Sequence, residues 1–241
     1  MRNIEFPKDA TPIHDFSDLI IPWIRHLQDL NREEAENISN AYMKYLRPPV
    51  PDPAKWFQIK ELMKIHHTMF CNVWKWAGAF RKSVTNIGIP PHLIPAHLSE
   101  LCVEVSAWSL EAVELTFLER AARIHHRLAK IHPFENGNGR FARFIADRFL
   151  LANRCSHPFW PSGLGDAGES RQRYILSLKA ADKGDYDPLI ELMMLFHAKE
   201  PLATEILQSE FFHKRFRLEQ LQAILKAKES MRKAQVALYT T

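Results

Sequence analysis

Glycine is scarce in this chain, with 8 in 241 residues. A fold rich in β-strands and tight turns needs more residues that tolerate positive φ, so the scarcity points toward helices. Cysteine is scarcer still. Cys71, Cys102 and Cys155 show neither a Cys-x-x-Cys pair nor the density of a disulfide framework. They read as buried thiols in a reducing compartment. No apolar run reaches the length of a membrane span, and the charged N-terminus lacks the apolar core of a signal peptide. The expectation is a cytoplasmic protein with no membrane partner. Charge of one sign is also lacking: a net +4 does not by itself imply nucleic acid as a partner. What remains is 46% hydrophobic and 25% charged residues, the balance of a soluble globular domain with a real core.

Taken in order, residues 1–12 read as an irregular arm. Asn31 is a plausible cap for a helix over 32–46, whose first turns hold Glu33, Glu34 and Glu36, where negative charge suits the helix dipole. The proline-rich run 48–53 turns a corner. Residues 57–72 are amphipathic, with Ile59, Leu62, Met63, His66 and Phe70 on one side. Trp74, Trp76 and Gly78 suggest tight packing at a change of direction. Residues 83–89 combine β-branched residues with an Asn86/Gly88 turn signal and predict a small β-hairpin. Helices are predicted over 93–110, 115–131, 141–153, 171–183 and 189–197, and a long charged one over 208–237. The expected class is all-α with at most one hairpin.

The chain is organised around His132-Pro133-Phe134-Glu135-Asn136-Gly137-Asn138-Gly139-Arg140-Phe141-Ala142-Arg143. Pro133 biases His132 out of the helical region, so the preceding helix should stop there. Gly137 and Gly139 let successive N–H groups face one concavity at the start of the next helix, an arrangement that binds anions. Arg140 and Arg143 add cations near one helix face, and His132 is a titratable base at the rim. Phe134 reads as a buried anchor. A metal reading of His125, His126 and His132 fails, because no Cys or carboxylate joins them at ligand spacing. His66 and His67 read as structural.

This stretch resembles the Fic motif, His-Pro-Phe-x-(Asp/Glu)-Gly-Asn-Gly-Arg-x-x-Arg, and matches at every specified position except Asn136. Trp76-Ala77-Gly78-x-Phe80-Arg81 and Gly184-Asp185-Tyr186-Asp187-Pro188-Leu189 are Fic-like too. Asp9-Ala10-Thr11-Pro12, Met69–Gly78 and the asparagine at 136 are similar to the subfamily called mobile mystery protein B. The resemblance implies a Fic-fold helical bundle with a β-hairpin flap, spanning residues 1–199 with its N-terminal arm. Residues 200–241 would be a C-terminal charged helical extension, which the resemblance does not explain. Its basic residues, Lys214, Arg215, Arg217, Lys226, Lys228, Arg232 and Lys233, suit a docking helix, while the interleaved Glu210, Glu219 and Glu229 argue against nucleic acid.

The resemblance further implies a protein adenylyltransferase that moves AMP from ATP onto a Ser, Thr or Tyr hydroxyl of a target protein. His132 would be the general base. The N–H groups of Gly137, Asn138 and Gly139 would cradle phosphates, with Arg140 and Arg143 as clamps. Ser83, Val84, Thr85, Asn86 and Ile87 would form the flap that pins the target by strand pairing. Asn136 stands where the family carries its Mg²⁺-binding carboxylate. A neutral amide is a weaker ligand for Mg²⁺ (or Mn²⁺). Arg32-Glu33-Glu34-Ala35-Glu36-Asn37 ends like the family's inhibitory helix, with arginine in place of Ser/Thr; Glu36 reads either as a solvated helix carboxylate or, by the resemblance, as an inhibitory partner of Arg143. The subfamily resemblance implies a helix-turn-helix partner in a toxin–antitoxin-like pair. Other phosphate chemistry (another nucleotide donor, or removal of AMP) and a catalytically weakened partner-binding protein are the alternatives. The target and the oligomeric state are not legible.

Overall fold

The structure, a computed structural model, describes residues 16–24, 26–47, 49–108, 114–161, 164 and 168–196. The N-terminal arm and the long helix expected over 208–237 lie outside the described residues. The chain divides into two compact units after Arg154. The first carries α1 (Leu27–Tyr45), α2 (Pro53–Trp56), α3 (Ile59–Phe70), α4 (Ile94–Ala107), α5 (Phe117–Ile131) and α6 (Asn138–Ala152). The second carries α7 (Glu169–Ala181) and α8 (Asp187–Leu195), which pack around Leu164, Tyr174, Leu192, Leu195 and Phe196.

In the first unit α5 packs on α6, α1 on α3, and α4 on both α3 and α5. The α5–α6 pair forms because both sequences carry wide apolar stripes at helical spacing. Leu118, Ala121, Ala122, Leu128 and Ile131 are buried on α5, and Phe141, Phe144, Ile145, Phe149 and Leu150 on α6. Thr116 caps α5, its hydroxyl accepting the Glu119 N–H at 3.1 Å.

α1 starts five residues before the expected Arg32, because His26, in extended conformation, takes the cap position and its carbonyl accepts the Leu30 N–H. Asn31 is therefore interior to the helix. The buried stripe of α1 is Leu30, Glu34, Asn37, Ala41 and Tyr45. On the same helix the Tyr42 hydroxyl donates to Asp147 Oδ2 of α6 at 3.3 Å, and Asp147 is fully buried. Tyr42→Phe removes that donor from a fully buried carboxylate. It should cost about 1–3 kcal/mol in urea unfolding, whereas a surface contact would leave the midpoint unchanged.

Among the described residues there is no ladder of strands. Isolated antiparallel bridges join Leu19 with Trp74 and Phe80 with Phe134. The hairpin expected over 83–89 is an irregular loop. The cause is Arg81, which is 2% exposed and donates to the carbonyls of Ser83 and Ile89 at the two ends of that loop. A side chain thus satisfies groups that a ladder would otherwise pair. The three cysteines are half-buried rather than buried. No described helix is long and apolar enough to cross a membrane.

Candidate active site

α5 ends where proline demands it. His132 adopts φ 53°, ψ 60°, a left-handed conformation uncommon outside glycine, and Pro133 follows. Three backbone contacts hold it there. The His132 N–H donates to the Leu128 carbonyl at 3.0 Å, Arg81 Nε donates to the His132 carbonyl at 2.6 Å, and the Arg81 N–H donates to the Pro133 carbonyl at 3.0 Å. Gly88 presses on the same place: a Cβ there would stand 2.6 Å from His132 Cβ and 2.7 Å from the Arg81 guanidinium. His132 is 8% exposed. Burial drives its pKa down to about 4; the Ala129 carbonyl opposes that shift and Arg81 adds to it. Nδ1 lies 3.3 Å from the Ala129 carbonyl, which can only accept, so the neutral ring carries its proton on Nδ1 and its lone pair on Nε2.

The loop that follows is folded by its own side chains. Asn138 Oδ1 accepts the Phe134 N–H at 2.9 Å while its Nδ2 donates to the Phe134 carbonyl at 2.8 Å. Gly137 sits at φ 77° as the cap of α6, and a Cβ there would meet the Phe70 ring at 2.5 Å, so only glycine fits. The first-turn N–H groups of α6, from Asn138 onward, have no intrahelical acceptor and carry the positive end of the helix dipole.

Below the loop lies an aromatic floor. Phe134, 1% exposed, stacks on His66 with ring centroids 3.6 Å apart and meets Phe141 edge-on at 5.1 Å. His66 does more than pack. Its Nδ1 accepts the Gly78 N–H at 3.0 Å, so Nε2 holds the proton and donates to the Asn136 carbonyl at 3.2 Å. Full burial lowers its pKa to about 3 and keeps it neutral.

The two motif arginines have different neighbours. Arg140 pairs with Glu34 Oε2 at 2.6 Å and lies over the Phe70 ring at 4.9 Å. The other Glu34 oxygen accepts Trp74 Nε1–H at 2.7 Å, and Glu34 is only 2% exposed. Arg143 is half-buried, and its charge acts on Tyr42 and His125. Of the two readings of Glu36, the pair with Arg143 is not formed. Glu36 faces solvent, off the buried stripe of α1, and the carboxylate that α1 brings to the motif is Glu34, on Arg140.

The loop at 83–87 is fastened to the motif by Glu135. Its carboxylate accepts the Ser83 hydroxyl at 3.0 Å and the Lys82 N–H at 3.4 Å. Val84 is 82% exposed; Ser83 and Asn86 are exposed, and Thr85 and Ile87 half-buried.

The donors at position 136 do not fit a divalent cation. Asn136 Oδ1 is neutral and already accepts the Gly137 N–H at 2.6 Å. The neighbouring Glu135 carboxylate is committed to Ser83 and Lys82. Among the described residues no three His, Cys, Asp or Glu side chains converge as a metal site.

Four residues that hold the loop in place escape the motif reading: His66, Arg81, Glu34 and Glu135. A signal existed for Glu34, because the spacing Leu30, Glu34, Asn37, Ala41, Tyr45 marks one helix face. None existed for Arg81 beyond its place in the Trp-Ala-Gly-x-Phe-Arg run, since its acceptors are backbone carbonyls.

The joint of the α5–α6 pair is thus an N–H-lined, arginine-flanked turn beside a neutral histidine, in a helical domain. Residues 56–150 match the model of the Fic/DOC family. Protein adenylyltransferase Fic of Aedes aegypti is 29% identical over 159 residues, covering 64% of this chain and 30% of that protein. Its counterpart in Culex quinquefasciatus is 31% identical over 161 residues, with the same coverage. The chain thus spans about 30% of the length of these curated relatives. Among solved structures, Fic-1 of C. elegans superposes with a TM-score of 0.56 at 22% identity, covering 73% of this chain and 50% of that one. The BepC protein of Bartonella tribocorum with bound AMPPNP superposes with a TM-score of 0.55 at 19% identity, covering 78% and 95%. At these identities the structural likeness establishes the fold.

Proposed function

We propose that this protein is a protein adenylyltransferase that transfers AMP from ATP to a Ser, Thr or Tyr hydroxyl of another protein. The observation that carries the reading is the joining, in one loop, of a neutral histidine with its lone pair on Nε2, the first N–H groups of α6, and Arg140 and Arg143. His132 Nε2 takes the proton of the target hydroxyl. The hydroxyl oxygen bonds to the α-phosphorus as the bond from that phosphorus to the bridging oxygen breaks, and pyrophosphate leaves. The N–H groups from Gly137 to Gly139 meet charge on the phosphate oxygens, and the arginines stabilise the departing group. The loop 83–87, pinned by Glu135 and Arg81, presents the exposed residues Ser83, Val84 and Asn86 to a target segment. The named activity of the relatives in Aedes and Culex supports the same reading.

The test is incubation with a lysate and ATP labelled at the α- or the γ-phosphate. Protein labelling from the α-label alone is expected; labelling from the γ-label would replace the reading with phosphotransfer, and none from either would end it.

Arg140 is engaged by a buried carboxylate before any nucleotide arrives, so Glu34 competes for it. Glu34→Gln keeps an acceptor for Trp74 and removes the charge. It should tighten ATP binding about tenfold by calorimetry, and unchanged affinity would show that the pair does not oppose the nucleotide.

A further inference from the structure

Asn136 is where the chain departs from the family motif, and the structure shows what its side chain does instead. Its Oδ1 accepts the N–H of Gly137 at 2.6 Å. That N–H is the first of the run that opens α6, and an amide oxygen is the same kind of acceptor as a phosphate oxygen. The turn is therefore capped by its own residue. Its main chain is held in place by His66, whose Nε2–H binds the Asn136 carbonyl at 3.2 Å from a ring that burial keeps neutral. The backbone at 136 is thereby fixed.

A cation bound here would find no charge to settle on. Asn136 is neutral, and Glu135 next to it spends its carboxylate on Ser83 and Lys82. Glu34, the other nearby carboxylate, is buried between Trp74 and Arg140. A carboxylate at 136 would add a negative charge facing the phosphates and would need a metal ion to bridge the two. An amide removes that repulsion, and its NH₂ offers hydrogens that a carboxylate lacks.

We propose that this loop binds the phosphates of its nucleotide without a protein-held divalent cation. In the empty loop Asn136 caps the Gly137 N–H; in the filled loop a phosphate oxygen takes over that N–H, and the Asn136 amide donates to the phosphates. The proposal rests on the nucleotide-binding reading above and changes what accompanies the nucleotide.

The test is calorimetric titration of the full chain with a non-hydrolysable ATP analogue, in EDTA and in excess Mg²⁺. The wild-type protein should bind with affinities within about threefold of each other in the two buffers. Asn136→Asp should lose about tenfold or more in EDTA and recover with Mg²⁺, because the added carboxylate repels unbridged phosphate. Asn136→Ala, which adds no charge, should weaken binding in both buffers and gain nothing from Mg²⁺. A wild-type affinity that rises tenfold or more with Mg²⁺ overturns the proposal and leaves the nucleotide-transfer reading standing. Wild-type-like behaviour of Asn136→Asp in EDTA also overturns it. Absence of binding by the wild type in both buffers overturns the proposal and that reading together.

Discussion

His132→Ala is expected to lower the rate of transfer from α-labelled ATP by about 10²–10⁴-fold, the range for loss of a positioned general base. The structure adds a second signature. Burial holds the His132 pKa at about 4, so the ring is already in its basic form throughout the neutral range. The rate of the wild-type protein should be nearly flat from about pH 5 to 8 and should fall only near and below about pH 4. A histidine of ordinary pKa would instead lose half its rate near pH 6.5. Initial rates across that range separate the two. A variant that retains wild-type rate would remove His132 from the mechanism. A midpoint near 6.5 would keep it there but show that the ring is solvated during turnover.

The second large effect concerns the fold itself. His66, with a folded pKa of about 3, and His132, at about 4, both lie below the ordinary value of 6.5, because burial penalises the charged ring. The unfolded chain therefore binds more protons than the native one once the pH drops below about 6.5. Stability is full above that value, declines as the pH falls toward the folded pKa values, and levels off below them. Each ring should cost about 2 kcal/mol at pH 5 relative to neutral pH, so the pair costs about 4 kcal/mol. His125, fully buried and shifted the same way, adds to the loss. Carboxylates titrate mainly below this window, so urea unfolding at pH 7.5 and pH 5 isolates the histidines. Equal stability at both values would mean that the rings accept protons without leaving the fold.

What was legible in the sequence follows the physics of each element. α5 and α6 could be read because their buried faces are apolar at helical spacing, and their joint because proline and glycine leave few backbone choices. The register of α1 was less clear, since its inward stripe contains Glu34 and Asn37, which a hydrophobicity pattern passes over. Matching a motif ending selected Glu36; following the spacing from Leu30 to Tyr45 selects Glu34. The loop 83–89 carries strand-forming residues, yet its carbonyls go to a guanidinium from a residue just before it, a choice that strand propensity cannot register. His66 reads as packing from the sequence and does pack, but its hydrogen bond to Asn136 depends on a chain separation of 70 residues. Asn136 is legible in the sequence only as a mismatch to the motif; that its amide oxygen accepts the Gly137 N–H is legible only in the structure.

The Arg81 guanidinium, shared among the carbonyls of His132, Ser83, Ile89 and Ile131, has an entropic consequence. Fixing a free loop costs roughly 1–2 kcal/mol per residue in lost conformational freedom. Here much of that ordering is completed when the chain folds, and Glu135 adds a second tie. A target segment aligned along residues 83–87, as proposed above, would meet a surface already close to its bound shape. The main conformational freedom left to lose is its own, so binding at this edge should favour partners that are themselves extended and stiff.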